Sequence, residues 1–95
     1  MEASEKATED PAWRERELIA VRQRIDAIDA EILRLLSERG ECARRIGALK
    51  GEGVIYRPER EADVLRRLIA ANPGPLPNEA VRVIFREVMS ACLAL

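Results

Sequence analysis

The sequence predicts an all-α fold of three helices, one long and two shorter. Three observations carry this. Leu18, Val21, Ile25, Ile28, Ile32 and Leu35 follow one another at steps of three and four, the heptad rhythm of one helix face. Hydrophobic residues make up 47% and charged residues 35%, with only 3% aromatic, a balance that favours helices over a sheet. Two breaker segments, KGEGVIYRP and NPGPLP, divide the chain into three periodic stretches.

The first helix is expected over about 12–50. Residues 1–11, MEASEKATEDP, are polar and aperiodic and read as a disordered or frayed arm ending at Pro11. Beyond Leu35 the seam continues through position 39 to Cys42, Ile46 and Leu49, and Arg39 puts a permanent cation into this otherwise apolar stripe. At 1.5 Å per residue such a helix is roughly 55–60 Å long. A lone chain of 95 residues cannot cover that length, so a partner chain along the helix is expected.

Gly51 and Gly53 end the first helix. The second is expected over about 58–71. It opens on Pro58 with Glu59 and Glu61 in its first turn and carries Val64, Leu65, Leu68 and Ile69 on one face. Asn72-Pro73-Gly74-Pro75 stops it. Asn78 is then expected to cap a third helix, about 78–95, bearing Val81, Ile84, Phe85, Val88, Met89, Cys92 and Leu93 at helical spacing. Residues 12–95 thus read as one domain with no internal repeat. The third helix is still amphipathic at Leu95, which suggests a piece of a longer protein.

Composition narrows the function. The net charge is −1, from 16 Lys and Arg against 17 Asp and Glu, and points to neither nucleic acid nor an anionic membrane. No apolar run has the length of a signal peptide or membrane span. There is no histidine, so the commonest metal ligand and general base are missing, and neither metal nor cofactor is expected. Cys42 and Cys92 have no CxxC spacing and read as reduced core thiols of a cytosolic protein. Ser/His/Asp and Cys/His sets are impossible, and no P-loop, GxGxxG or EF-hand is present. A reaction here would rest on positioning and charge stabilisation.

Three groups of residues could supply it. Arg39 and Lys50 lie eleven residues apart, close to three turns, on nearly the same face and about 16 Å apart along the axis. Two long cationic side chains at that separation could clamp a compact dianion, although an Arg in a seam can also snorkel or pair with a Glu. Arg22 precedes Arg39 by roughly 25 Å along the axis. It could join the same ligand only from a second, antiparallel chain; otherwise it is a solvated surface charge. The segment Tyr56-Arg57-Pro58-Glu59-Arg60-Glu61 sets two Arg at a helix N-terminus, a natural anion site, and Glu61 could accept from a substrate hydroxyl. Ordinary capping and ion pairing would explain the same residues.

LIAVRQRIDAIDAEILRLLSERGECARRIGALK, YRPEREADVLRRL and NPGPLPNEAVRVIFREVMSACLAL together resemble the all-helical chorismate mutase family, over residues from about 16 to 95. The RPERE segment and the SACLAL ending are most similar to the N-terminal mutase portion of bifunctional chorismate mutase–prephenate dehydratases. The resemblance implies an intertwined homodimer with two pockets, each using both chains, and rearrangement of chorismate to prephenate in phenylalanine and tyrosine biosynthesis. It implies that Arg22 of the second chain and Arg39 bind the two carboxylates, that Lys50 hydrogen-bonds the ether oxygen, that Glu61 accepts from the ring hydroxyl and that Arg60 orders the pocket. Arg57 stands where many relatives have an acid, which moves hydroxyl recognition onto Glu61 or backbone. Cys92 stands where relatives often have a small hydroxyl residue and is counted with the substrate-binding positions.

The family also places a Gln or Glu at the position following Leu95, so a chain extended by several residues is expected to turn over faster. The partners implied are the dicarboxylate chorismate, a second copy and, in the parent protein, a fused prephenate dehydratase; the compartment is the cytoplasm. An isochorismate–pyruvate lyase of the same fold and a non-catalytic helical dimerisation or regulatory module are the competing readings.

Overall fold

A computed structural model describes residues 10–95. The frayed arm expected over 1–11 falls almost wholly outside them. Three helices follow: α1 over Pro11–Lys50, α2 over Pro58–Ala71 and α3 over Asn78–Leu93. Among the described residues there is no strand.

The start of α1 has a cause that periodicity misses. Asp10 accepts a hydrogen bond from the Ala12 backbone N–H through Oδ1 at 3.0 Å, and Pro11 takes the first helical position. An Asp N-cap followed by Pro satisfies one orphan donor and removes another. The helix therefore begins one residue before the expected start.

The chain divides into two compact units, one ending at Leu35 and one covering Leu36–Leu95. In the first, the described residues from Pro11 onward are helix, and the predicted seam lies open: Leu18, Val21, Ile25, Ile28, Ile32 and Leu35 are 41–55% exposed. In the second, α2 and α3 pack on each other. Its core is Leu65 of α2 with Val81, Met89 and Cys92 of α3. Burying each of the Leu, Val and Met side chains contributes about 1.5–3 kcal/mol.

Asn72 builds the connection between α2 and α3. Its Oδ1 accepts from the Gly74 backbone N–H at 3.0 Å, while its Nδ2 donates to the Leu76 carbonyl at 2.8 Å and to Asn78 Oδ1 at 2.9 Å. This corrects the expected role of Asn78. The residue preceding α3 is Pro77, no side chain caps the helix, and Asn78 is its first residue with its amide oxygen held by Asn72. Asn72, six residues earlier, holds the Asn78 amide oxygen through its own Nδ2, while its Oδ1 closes an Asx turn onto the Gly74 N–H.

The cysteines need a second correction. Both are free, but only Cys92 is buried; Cys42 is exposed on α1. Cys42 belongs to the extension of the heptad seam, and Ile46 and Leu49 beside it are exposed too. A stripe that is apolar by sequence is not thereby a core within one chain.

Candidate active site

A cavity of about 600 Å³ opens in the second unit. Four sequence segments make its walls. The last three turns of α1 bring Arg39, Ile46 and Lys50; the loop 51–57 brings Glu52, Tyr56 and Arg57; the first turn of α2 brings Glu59, Arg60 and Glu61; and α3 brings Met89, Cys92 and Leu93. The volume suits a small organic molecule.

The loop is held in place by glycine. After Lys50 the chain takes positive φ at Gly51 (73°) and Gly53 (75°), a conformation that costs an L side chain. The turn folds back so that the Gly53 N–H donates to the Gly47 carbonyl at 3.2 Å. Gly47 is buried, as α1 must be bare where the loop crosses it. Arg57 pairs with Glu52 across the base of the same loop. The chain then enters α2 at Pro58, whose missing N–H falls where a helix leaves donors unsatisfied, and Glu59 and Glu61 complement the positive end of the helix.

Charge is distributed unevenly over the walls. Arg39, Lys50, Arg57 and Arg60 line the cavity together with Glu52, Glu59 and Glu61. Arg57 is engaged by Glu52. Arg39, half-buried, donates from Nη1 to the Cys92 sulfur at 3.1 Å. Among the described residues, no carboxylate pairs with Lys50 or Arg60. Glu61 is half-buried, and its side chain has no partner among the described residues. The cavity therefore offers two uncommitted cations, a third held by sulfur, and carboxylates able to accept from a hydroxyl.

Six of the residues singled out by sequence line this one cavity: Arg39, Lys50, Arg57, Arg60, Glu61 and Cys92. Arg22 does not. It is an exposed residue of α1 in the first unit. Two contributors, Glu52 and Gly47, escaped the sequence reading, and Glu59 enters it only as part of the helix-start segment. Glu52 sits in GEG, where an acid beside glycines reads as a turn. Glu59 reads as a first-turn acid. Gly47 has no local signature, because its need to lack a side chain comes from a loop that returns six residues later.

The chorismate mutase type II family pattern matches residues 21–95. The bifunctional chorismate mutase/prephenate dehydratase of Neisseria gonorrhoeae is 63% identical over 78 residues, 82% of this chain and 22% of the relative. That of Pseudomonas aeruginosa is 51% identical over 86 residues, 83% of this chain and 24% of the relative. The chain thus spans about a quarter of the length of these relatives. Among solved structures, form II of the chorismate mutase of Thermus thermophilus matches with a TM-score of 0.75 at 41% identity, covering 83% of this chain and 92% of that one. The chain belongs to the chorismate mutase type II family. No helix among the described residues is long and apolar enough to cross a membrane.

Proposed function

We propose that the cavity binds chorismate and rearranges it to prephenate, and that the chain works as a homodimer in which Arg22 of a second copy completes each site. The observation that carries this reading is the convergence of Arg39, Lys50 and Arg60 on one cavity, with no carboxylate among the described residues pairing Lys50 or Arg60. Such a wall awaits an anionic ligand. The exposed seam of the first unit supports the dimer, since an apolar stripe of that length is a protein-interaction surface.

In this mechanism Arg39 and the second copy's Arg22 each hold one carboxylate. The enolpyruvyl side chain is thereby kept over the ring, and much of the entropic part of the barrier is met on binding. The ether C–O bond then breaks as the new C–C bond forms, within one molecule and with no proton transferred. Negative charge grows on the ether oxygen, and the Lys50 ammonium donates to it. Glu61 accepts from the ring hydroxyl and fixes the ring face, and Arg60 adds positive potential. We further propose a cytoplasmic enzyme, in keeping with two unpaired cysteines, and a prephenate dehydratase domain in the parent protein, as in the relatives' names.

The direct test is to incubate the chain with chorismate and follow the loss of its absorbance with formation of prephenate. Salicylate formed from isochorismate, without chorismate turnover, would point to the lyase. No turnover of either compound would leave a non-catalytic helical module.

A further inference from the structure

Arg39 is the cation that breaks the apolar seam, and its partner is unusual for this chain. Arg44, Arg57, Arg66, Arg67 and Arg82 each pair with a nearby carboxylate. Arg39 instead donates to the sulfur of Cys92, 53 positions away on α3. Cys92 is 8% exposed and belongs to the core between α2 and α3, so the sulfur is a fixed point. The bond ties the cavity end of α1 to α3.

We propose that Cys92 is a positioning residue for the substrate-binding Arg39, a tether that orients the guanidinium without neutralising it. The chemistry follows from the donor and acceptor types. A guanidinium has five N–H donors in a fixed planar fork, so one bond at Nη1 sets the plane and leaves the other donors available. A long Arg side chain loses rotamer freedom when it clamps a ligand, and pre-ordering it reduces that cost on binding. A carboxylate at position 92 would order the side chain equally well but would compete with the substrate carboxylate for its charge. A thiol accepts weakly and brings no formal charge, so the cation stays available to an anion in the cavity. The inference rests on the proposed binding of a carboxylate by Arg39. It makes Cys92 a part of the site that acts through Arg39.

Cys92 also lines a second cavity, of about 570 Å³, so truncation alone would confuse a lost hydrogen bond with lost packing. The test therefore compares Cys92→Ser, which keeps an acceptor, with Cys92→Val, which keeps the site filled with a side chain one methyl group larger and loses the acceptor. Two readouts are taken: steady-state kcat and KM with chorismate, and the Arg39 Nε–Hε resonance in the ligand-free protein by NMR. Melting curves check that both variants fold. The expected result is a KM raised about fivefold to tenfold in Cys92→Val, the scale of one weak hydrogen bond to a charged group, with kcat changed much less. Cys92→Ser recovers most of that loss, and the Arg39 resonance is motionally restricted in the wild type and in Cys92→Ser but averaged in Cys92→Val.

Equal KM for Val and Ser variants, or an Arg39 resonance with the same mobility in the wild type and Cys92→Val, would overturn the tether. Absence of turnover in the wild type would sink the mutase reading instead, while the NMR comparison still decides the tether.

Discussion

Gly47 and Gly53 lie so close that a Cβ built on Gly47 would stand 2.5 Å from the Gly53 carbonyl carbon and 2.7 Å from its oxygen. The obstacle is backbone, which cannot rotate away as a side chain would. The loop that carries Glu52, Tyr56 and Arg57 into the cavity wall thus depends on one bare position in α1. Gly47→Ala is expected to destabilise the fold by about 1–3 kcal/mol, as overpacking does, and to lower kcat/KM by displacing the loop. Urea denaturation and steady-state kinetics check this. An active variant of unchanged stability would mean that the loop has other room.

Lys50 has no carboxylate partner among the described residues, so its charge is available to a developing anion. Lys50→Ala is expected to reduce kcat by about 10²–10³-fold, the loss seen when one donor to a developing oxyanion is removed. Circular dichroism should show helicity unchanged, since Lys50 is an exposed end-of-helix residue. Turnover within a few-fold of the wild type would exclude the ether-oxygen role.

Arg57 and Arg39 are both arginines of the cavity wall, but Arg57 is already paired with Glu52, and both members of that pair are about half-exposed. Such pairs contribute about 0.2–1 kcal/mol. Arg57→Gln should therefore raise KM much less than Arg39→Gln. Parallel kinetics on the two variants decide it, and a reversed order would make Arg57 the primary carboxylate ligand.

Ile28 is 41% exposed in the middle of the open seam. If a second copy covers that stripe, Ile28→Asp places an unpaired charge in an apolar interface, a strongly unfavourable change. Sedimentation is expected to give a dimer for the wild type and a monomer for the variant, with activity lost although Ile28 is no part of the cavity wall. A wild-type monomer would remove the basis for a shared site.

The three helices were legible because period and breakers agree: the heptad steps from Leu18 to Leu35, the glycines at 51 and 53, Pro58, and the Asn72–Pro75 stop. Arg39 was legible as an anomaly, since a cation at an apolar seam position needs an explanation. What period could not convey was partnership. Asp10 caps α1 through a local hydrogen bond just ahead of the boundary assigned to Pro11. Asn78 does not cap α3: Pro77 precedes the helix, and the Asn78 amide oxygen accepts from Asn72 instead. Cys42 shares the apolar stripe yet is exposed. Cys92 meets Arg39 only because the distant α3 comes within reach of α1, and Gly47 meets Gly53 only because the loop after α1 turns back onto it. The substrate roles of Arg22, Lys50 and Glu61 came from resemblance to the chorismate mutases, not from spacing.

The central claim is a substrate site made by cations of two copies, with Lys50 from one and Arg22 from the other. Subunit mixing tests it most directly. Arg22→Ala and Lys50→Ala are purified separately, unfolded together in equal amounts, refolded and assayed with chorismate. Each variant alone should be nearly inactive. In the mixture half the dimers are hybrids and each hybrid keeps one intact site, so activity should return to about a quarter of wild type. A mixture no more active than the two variants apart, although dimers have re-formed, would contradict the shared site.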